Sequence, residues 1–439
     1  VPVAAEAVGP HRVEGDEDEV GLLGRSTRPP AAADDGEARD ERERGGGKAA
    51  AHRFEPGFYR ILPCSRRALR KGYNAVFMKP VEINEFLKRD VIGQEETLRF
   101  VSVAIFKHLQ GERYGNLLLI GNSGTGKTTV MRAMERLYAE HDEFQKYRVV
   151  VIMNANQFAT DEGMVDPNRL MTRLEERAKE ILGEDVDPEV LADYMQHATV
   201  CIDEIDKISA VVGGKPYVTG INIQQGLLTL IEGENVLYPV TVKRNKTLER
   251  VPVHVDTGKM LFLCAGAFEN LYDQVYRRVT APTSRVKLPT ETVYENGEVQ
   301  IREFFTLRHW FKQEDLFDYG MQPQFLSRFD NAIILEDLHA GLLSRIFMEP
   351  RDCVFKASQG FFKKYGIDLE ITEGAVRKVA DEASRSSRIG ARALKAVWGR
   401  IIKPFEFDPF SQAEVREEAG RHRLVIDEAL VARALKPPL

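Results

Sequence analysis

Directly after the apolar run NLLLI, residues 121–129 read GNSGTGKTT. Gly121, Asn122, Ser123, Gly124, Thr125, Gly126, Lys127, Thr128 and Thr129 have the spacing of a phosphate-binding loop set between a strand and a helix. Glycines let successive backbone N–H groups turn toward phosphate oxygens, Lys127 can neutralise the β- and γ-phosphates, and the Thr128 hydroxyl can ligate Mg²⁺. A second stretch, VCIDEIDKI at 200–208, is an apolar run that ends in two carboxylates. Asp203 is placed to hold the metal shell and Glu204 to orient and activate a water. An acidic strand end alone is usually a solvated edge or a helix cap; downstream of a phosphate-binding loop, phosphoryl chemistry is the stronger reading.

Two arginines could complete such a site. Arg328 lies in MQPQFLSRFDNAIIL just before a predicted strand, and Arg392 in SSRIGARALKAVW at the start of a predicted helix. Guanidinium groups stabilise the charge that develops on a transferring phosphoryl group, and a neighbouring subunit can supply one in trans. By spacing alone, each is equally an ordinary surface ion-pair residue.

The loop needs a strand to launch it and a helix to receive it. NLLLI at 116–120, VVVIM at 149–153, TVCID at 199–203, KMLFLCAG at 259–266 and NAIIL at 331–335 are apolar on every side. Such runs suit a parallel sheet covered by helices on both faces. In the helical pattern TTVMRAMERLYAE, Val130, Met134 and Leu137 share one face. The predicted fold class is α/β, a P-loop NTPase with a central parallel sheet flanked by helices. After residue 338 the strands stop, helices follow one another, and only HRLVID at 422–427 offers a further strand. The expected division is a large α/β domain at 78–337 and a small, mainly helical domain at 338–439.

Residues 1–55 are rich in Ala, Gly, Asp, Glu and Arg without a sustained apolar period, and globular patterning begins near Met78. The segment 1–77 is therefore expected to be disordered, either upstream sequence before a native start at Met78 or a functional flexible arm. The chain of 439 residues is 43% hydrophobic and 29% charged with a net charge of −6. That balance gives no electrostatic footprint for a dedicated nucleic-acid binder. No stretch of 18 apolar residues suggests a membrane span, and no signal pattern opens the chain. The four cysteines, Cys64, Cys201, Cys264 and Cys353, form no Cys-x-x-Cys pair, and the nine histidines form no His-x-x-x-His pair. A cytoplasmic protein with no metal beyond Mg²⁺ is expected, with Cys201 and Cys264 as buried thiols on adjacent central strands.

VIGQEETLRFVSVAIFKH, GNSGTGKTT, VCIDEIDKIS, QQGLLTLIEG, VDTGKMLFLCAGAF, YGMQPQFLSRFD and IGARALK occur in the order found in the ClpX/HslU family, which this chain resembles over roughly 85–430. Members are AAA+ protein unfoldases, so the resemblance implies ATP with Mg²⁺, hydrolysis to ADP and phosphate, a homo-hexameric ring, and unfolded or tagged protein substrates. It implies that Val91, Ile92, Gly93 and Gln94 pack on the adenine, that Arg328 is the arginine finger, and that Arg392 couples nucleotide state to the angle between domains. The loop TDEGMVDPN matches the family's channel loop, putting Gly163, Met164 and Val165 in the pore. The same residues also read as a helix start, with Asp166 as cap, Pro167 at the first position and Val165 as a staple. GGKPYVTGINIQQ puts Tyr217 on the second pore loop, and VTVKRNKTLERV offers Lys243, Arg244 and Lys246 near the expected channel entrance.

The departures from the family are specific. The first part of the chain lacks the cysteines of the family's zinc-binding domain, and residues 275–319 contain no Ile-Gly-Phe tripeptide. Docking to a peptidase therefore has no sequence support. Where the family's first sensor lies, the strand end offers Cys264 and Ala265 in place of a polar side chain. The alternatives are a nucleotide-switched scaffold, and a loader or motor acting on nucleic acid, against which the acidic balance counts.

Overall fold

Two helices, α1 (Pro80–Leu87) and α2 (Glu95–Leu109), lead into β1 (Leu117–Ile120), the phosphate-binding loop and α3 (Lys127–Glu140). Next come β2 (Val150–Asn154), α4 (Pro167–Leu182), α5 (Pro188–Gln196), β3 (Thr199–Asp203), a small hairpin of β4 (Val211–Val212) and β5 (Lys215–Pro216), and α6 (Val218–Glu232). A long hairpin of β6 (Asn235–Arg244) and β7 (Thr247–Asp256) separates α6 from β8 (Leu261–Gly266). Then α7 (Leu271–Thr280), a hairpin of β9 (Thr290–Glu295) and β10 (Glu298–Glu303), and the short helices α8 (Leu307–Trp310), α9 (Gln313–Tyr319) and α10 (Pro323–Leu326) reach β11 (Asn331–Ile334). The C-terminal part runs through α11 (Ala340–Met348), α12 (Val354–Lys363), β12 (Ile367–Ile371), α13 (Glu373–Ser384), α14 (Arg392–Phe407), β13 (Val415–Glu418), β14 (Arg421–Ile426) and α15 (Glu428–Leu435). The computed structural model describes residues 78–436, apart from 113–114, 161–163, 245–246, 285, 296–297, 304, 387–388 and 419. The expectation for 1–77 and the assignments of Gly163 and Lys246 lie outside the described residues.

The five apolar runs form one parallel sheet in the order β11-β1-β8-β3-β2. Alternating side chains explain why the three central runs, β1, β8 and β3, are apolar throughout, whereas the edge strands β2 and β11 leave Ile152 and Ala332 exposed. Leu118, Ile120, Val200, Ile202, Phe262 and Cys264 enter the core under α4, α5, α6 and the β6–β7 hairpin. Leu117, Leu119, Cys201, Leu261, Leu263 and Ala265 enter the opposite core under α1, α2 and α3. A strand buried on both faces can carry no polar side chain without a partner, and each fully buried Leu or Ile contributes about 1.5–3 kcal/mol. Cys201 and Cys264 lie on the adjacent strands β3 and β8, both buried.

A third core consists only of residues between Leu338 and Val431. Its centre is Trp398, whose Nε1–H donates to Ser358 Oγ at 2.8 Å while Phe347 and Phe355 pack on the ring. The strands do not stop after residue 338: β12 pairs in parallel with β14, and β14 antiparallel with β13. The sequence reading found β14 alone. IDLEI is half-buried, with Ile367 and Leu369 inside and Asp368 and Glu370 outside, and five such residues between two helical patterns are ambiguous until a distant partner pairs with them. No helix among the described residues is long and apolar enough to cross a membrane.

Candidate nucleotide site

The C-terminal ends of β1, β8 and β3 lie side by side, which is where open parallel sheets bind ligands. The loop leaving β1 is tied to β8 by the Gly121 N–H, which donates to Gly266 O at 3.2 Å. Gly124 and Gly126 have φ of 79° and 106°, a region that a side chain disfavours. α3 starts at Lys127 with no side-chain cap and no acid in its first turn, so its free N–H groups and positive dipole end face the cleft. Lys127 is buried, and its Nζ donates to Gly121 O and, at 2.9 Å, to Asn122 O. Burial lowers its pKa, and the carboxylates of Asp203 and Asp206 oppose that shift.

Across the cleft, Thr128 Oγ1 donates to Asp203 Oδ2 at 3.0 Å, while Asp203 Oδ1 accepts the Glu204 N–H at 2.9 Å. Asp203 is thereby held at the mouth of β3, and Glu204, exposed, is turned into the left-handed region with φ of 56°. Gln94 and Phe268, with φ of 59° and 49°, are the other non-glycine residues with positive φ among those described. All three border the phosphate-binding loop, where stored backbone strain belongs to a functional site.

The cleft has a volume of about 510 Å³. One end is polar, formed by residues 123–129 with Asp203, Glu204, Asp206 and Lys207; the other is apolar, with Val91, Ile92, Leu338, Ile346, Pro350 and Val354. A polar phosphate end and an apolar base end fit an adenine nucleotide, and the Thr128–Asp203 oxygen pair fits Mg²⁺, which takes few protein oxygens and completes its shell with phosphate and water. Gly93, with φ of 76°, packs against Leu342.

The C-terminal part rests directly on the loop. Arg392 Nη1 donates to Ser123 Oγ at 2.5 Å, and the Ala391 N–H donates to Gly124 O at 3.0 Å. A Cβ on Gly124 would lie 2.2 Å from Ile389 O, and one on Gly390 2.8 Å from the Gly124 carbonyl, so both positions must be glycine for this contact. Arg328 lies outside the cleft, ion-paired with Glu232. Met164 is 60% exposed in front of α4, whereas Val165 bridges Ala159 and packs against Gly226 of α6. Asp166 caps α4 through Asn168 N, with Pro167 at the first position. Tyr217, 37% exposed, stands at the start of α6.

The structure gives Gln94 contacts other than the adenine packing that the resemblance implies, and it adds residues to the cleft that the sequence did not single out. Gln94 is buried; its Nε2 donates to Thr125 O and Glu336 O at 3.2 and 2.8 Å, and its Oε1 accepts the Glu336 N–H at 2.9 Å. It thus joins the loop to the segment after β11, where Asp337 also accepts from Asn122 at 3.0 Å. Asp206 is buried and accepts the Ala267 N–H at 3.0 Å. Its signal was the third acid of DEID, three residues after Asp203. Cys264 and Ala265 are buried inside β8; Ala267 and Glu269 are what that strand end presents to the cleft. Lys395, one turn after Arg392, also lines it.

Comparison with known proteins agrees with this geometry. The family model described as "AAA domain (Cdc48 subfamily)" matches residues 112–332. The ATP-dependent Clp protease ATP-binding subunit ClpX of Azotobacter vinelandii is 30% identical over 359 residues, covering 77% of this chain and 76% of that protein. ClpX of Porphyromonas gingivalis is 30% identical over 366 residues, covering 80% and 81%, and ClpX 2 of Wolinella succinogenes 30% over 382 residues, covering 82% and 86%. With its parallel sheet, phosphate-binding loop and C-terminal part closing on that loop, the chain belongs to the AAA+ ATPases as a divergent member of the ClpX family of ATP-dependent unfoldases.

Proposed function

We propose that the protein is a cytoplasmic ring-forming unfoldase, a homo-hexamer, that hydrolyses ATP at its subunit interfaces and draws unfolded or tagged polypeptides through a central channel. The observation that carries this reading is the position of Arg328. Arg392 reaches the phosphate loop of its own chain, whereas Arg328 projects elsewhere, which leaves Arg328 placed to serve the cleft of another copy rather than its own. Residues 78–337 act as the large ATPase domain and 338–439 as the small domain that moves against it.

Lys127 and the N–H groups opening α3 hold the β- and γ-phosphates, and Val91, Ile92 and Gly93 pack with Leu338 and Ile346 around the base. When bound to Thr128 and Asp203, Mg²⁺ would supply charge neutralisation across the phosphates. Glu204 orients the attacking water and accepts its proton, and Arg328 of the neighbour stabilises the charge that develops. Because Ala391 and Arg392 touch the loop, a change in its occupancy alters how 338–439 seat on it. Met164 and Tyr217, on solvent-facing loops at the starts of α4 and α6, grip the polypeptide; Val165 anchors the first loop. No peptidase partner is proposed, since the stretch between α7 and α9 holds a β-hairpin and no Ile-Gly-Phe tripeptide.

The test is ATP turnover with an unfolded protein or with DNA added, on wild type and Glu204→Gln. Stimulation by unfolded protein, with turnover lost and substrate retained in Glu204→Gln, is expected. Stimulation by DNA alone, or unchanged turnover in Glu204→Gln, would overturn the reading.

A further inference from the structure

We propose that Glu232 is the resting partner of Arg328, so that ring closure is an exchange in which Arg328 leaves its own Glu232 for the neighbour's nucleotide. The proposal rests on the interface role assigned above to Arg328. Its backbone is fixed: the Arg328 N–H donates to Phe325 O at 3.2 Å, and Arg328 O accepts from Asn116 Nδ2 at 3.2 Å. Asn116 Oδ1 accepts the Phe262 N–H at 3.2 Å, which holds this clamp at the start of β1 and β8. Only the side chain can change partner, and the ion pair is open to solvent, 42% and 41% exposed.

Glu232 is the last residue of α6, where an acid opposes the helix dipole, and no basic residue occupies the last turn. A cation from elsewhere relieves that opposition, and Arg328 supplies it. The geometry is held from within α6 by Gln224, which is fully buried. Its Nε2 donates to Ile208 O at 2.8 Å and Gly320 O at 3.1 Å, and its Oε1 accepts the Gln322 N–H at 2.7 Å. One helix therefore joins the segment after Asp203 and Glu204 to the turn that opens α10, begins at Tyr217 and ends at the carboxylate that holds Arg328. Glu232 is a positioning residue: in the free chain it keeps Arg328 folded back, and assembly must displace it.

The experiment measures the subunit concentration for half-maximal assembly by sedimentation with a non-hydrolysable ATP analogue, in wild type, Glu232→Gln, Arg328→Ala and the double variant, with thermal unfolding of each as control. Glu232→Gln is expected to lower that concentration about two- to fivefold, the scale of an exposed ion pair, and to have no effect when Arg328 is already alanine. A shift that persists in the Arg328→Ala background, or no shift in the single variant, would overturn the proposal. Full ATP turnover in Arg328→Ala would instead remove the interface reading of Arg328 itself, so the two failures are told apart.

Discussion

Replacing Glu175 with alanine should release the long β6–β7 hairpin from α4, the helix that starts just behind Met164. Glu175 is buried; it accepts Tyr238 O–H at 2.8 Å and the Thr241 N–H at 2.8 Å, and pairs with Lys179 Nζ at 2.6 Å. Hydrogen bonds to a charged group contribute roughly 1.5–3 kcal/mol each, and removing one member of a buried pair costs about 3–5 kcal/mol. Two circumstances put the loss near the lower bound: Tyr238 Oη keeps Thr172 Oγ1 at 3.2 Å, and the backbone at Thr241 is half-buried and can take water. The expected loss is about 3 kcal/mol, equivalent to roughly a hundredfold faster local opening. Hydrogen exchange of the amides in 235–256 reads this directly. Glu175→Gln, which keeps an acceptor for Tyr238, should show about a third of the effect. Exchange that changes by less than about threefold in the alanine variant, or changes equally across β1 and β8, would refute the reasoning.

Gly124→Ala should lose nucleotide affinity by more than about tenfold in a fluorescent-nucleotide titration, because the φ of 79° and the Ile389 carbonyl 2.2 Å from the new Cβ leave no room without moving the loop. His108 is buried with Nε2 against His197 O at 3.1 Å, and burial pushes its pKa down to about 4. The unfolded chain, titrating near 6.5, binds the proton first, so this contribution is complete above pH 6.5 and is lost as pH falls toward 4, by about 3 kcal/mol. Urea midpoints between pH 7 and pH 5 should fall less in His108→Gln than in wild type; His197, also lowered by burial, adds a smaller slope of the same sign. Met164→Ala should slow unfolding of a folded, tagged substrate while ATP turnover persists, and Met164→Tyr should quicken it; equal rates in all three would leave Tyr217 as the grip.

Much of the site was legible because its parts are local. The loop 121–129, the carboxylates at 203 and 204 and the cap at Asp166 with Pro167 each act through neighbours within a few positions, so spacing reveals them. Residues that work across the fold gave weaker signals. Gln94 directly precedes the acids Glu95 and Glu96 of α2, in the segment that the resemblance places on the adenine, yet its side chain bonds Thr125 and Glu336. Val165 and Met164 are adjacent and both apolar, and only the closeness of Gly226 separates an anchor from an exposed tip. β12 is five residues long, and a strand that short is defined by its partner rather than by its own pattern.

By itself the amino-acid sequence determined the parallel sheet, the phosphate-binding loop and the order of motifs that marks the family, because buried strands and glycine-dependent turns impose composition directly on the chain. The tertiary structure alone decided that 338–435 closes on that loop through Ala391 and Arg392, that Asp206 and Glu269 join the cleft, and that Arg328 is held by Glu232. These are contacts between residues 61 to 269 positions apart. Such pairings are set by how whole elements pack, and no local period carries them.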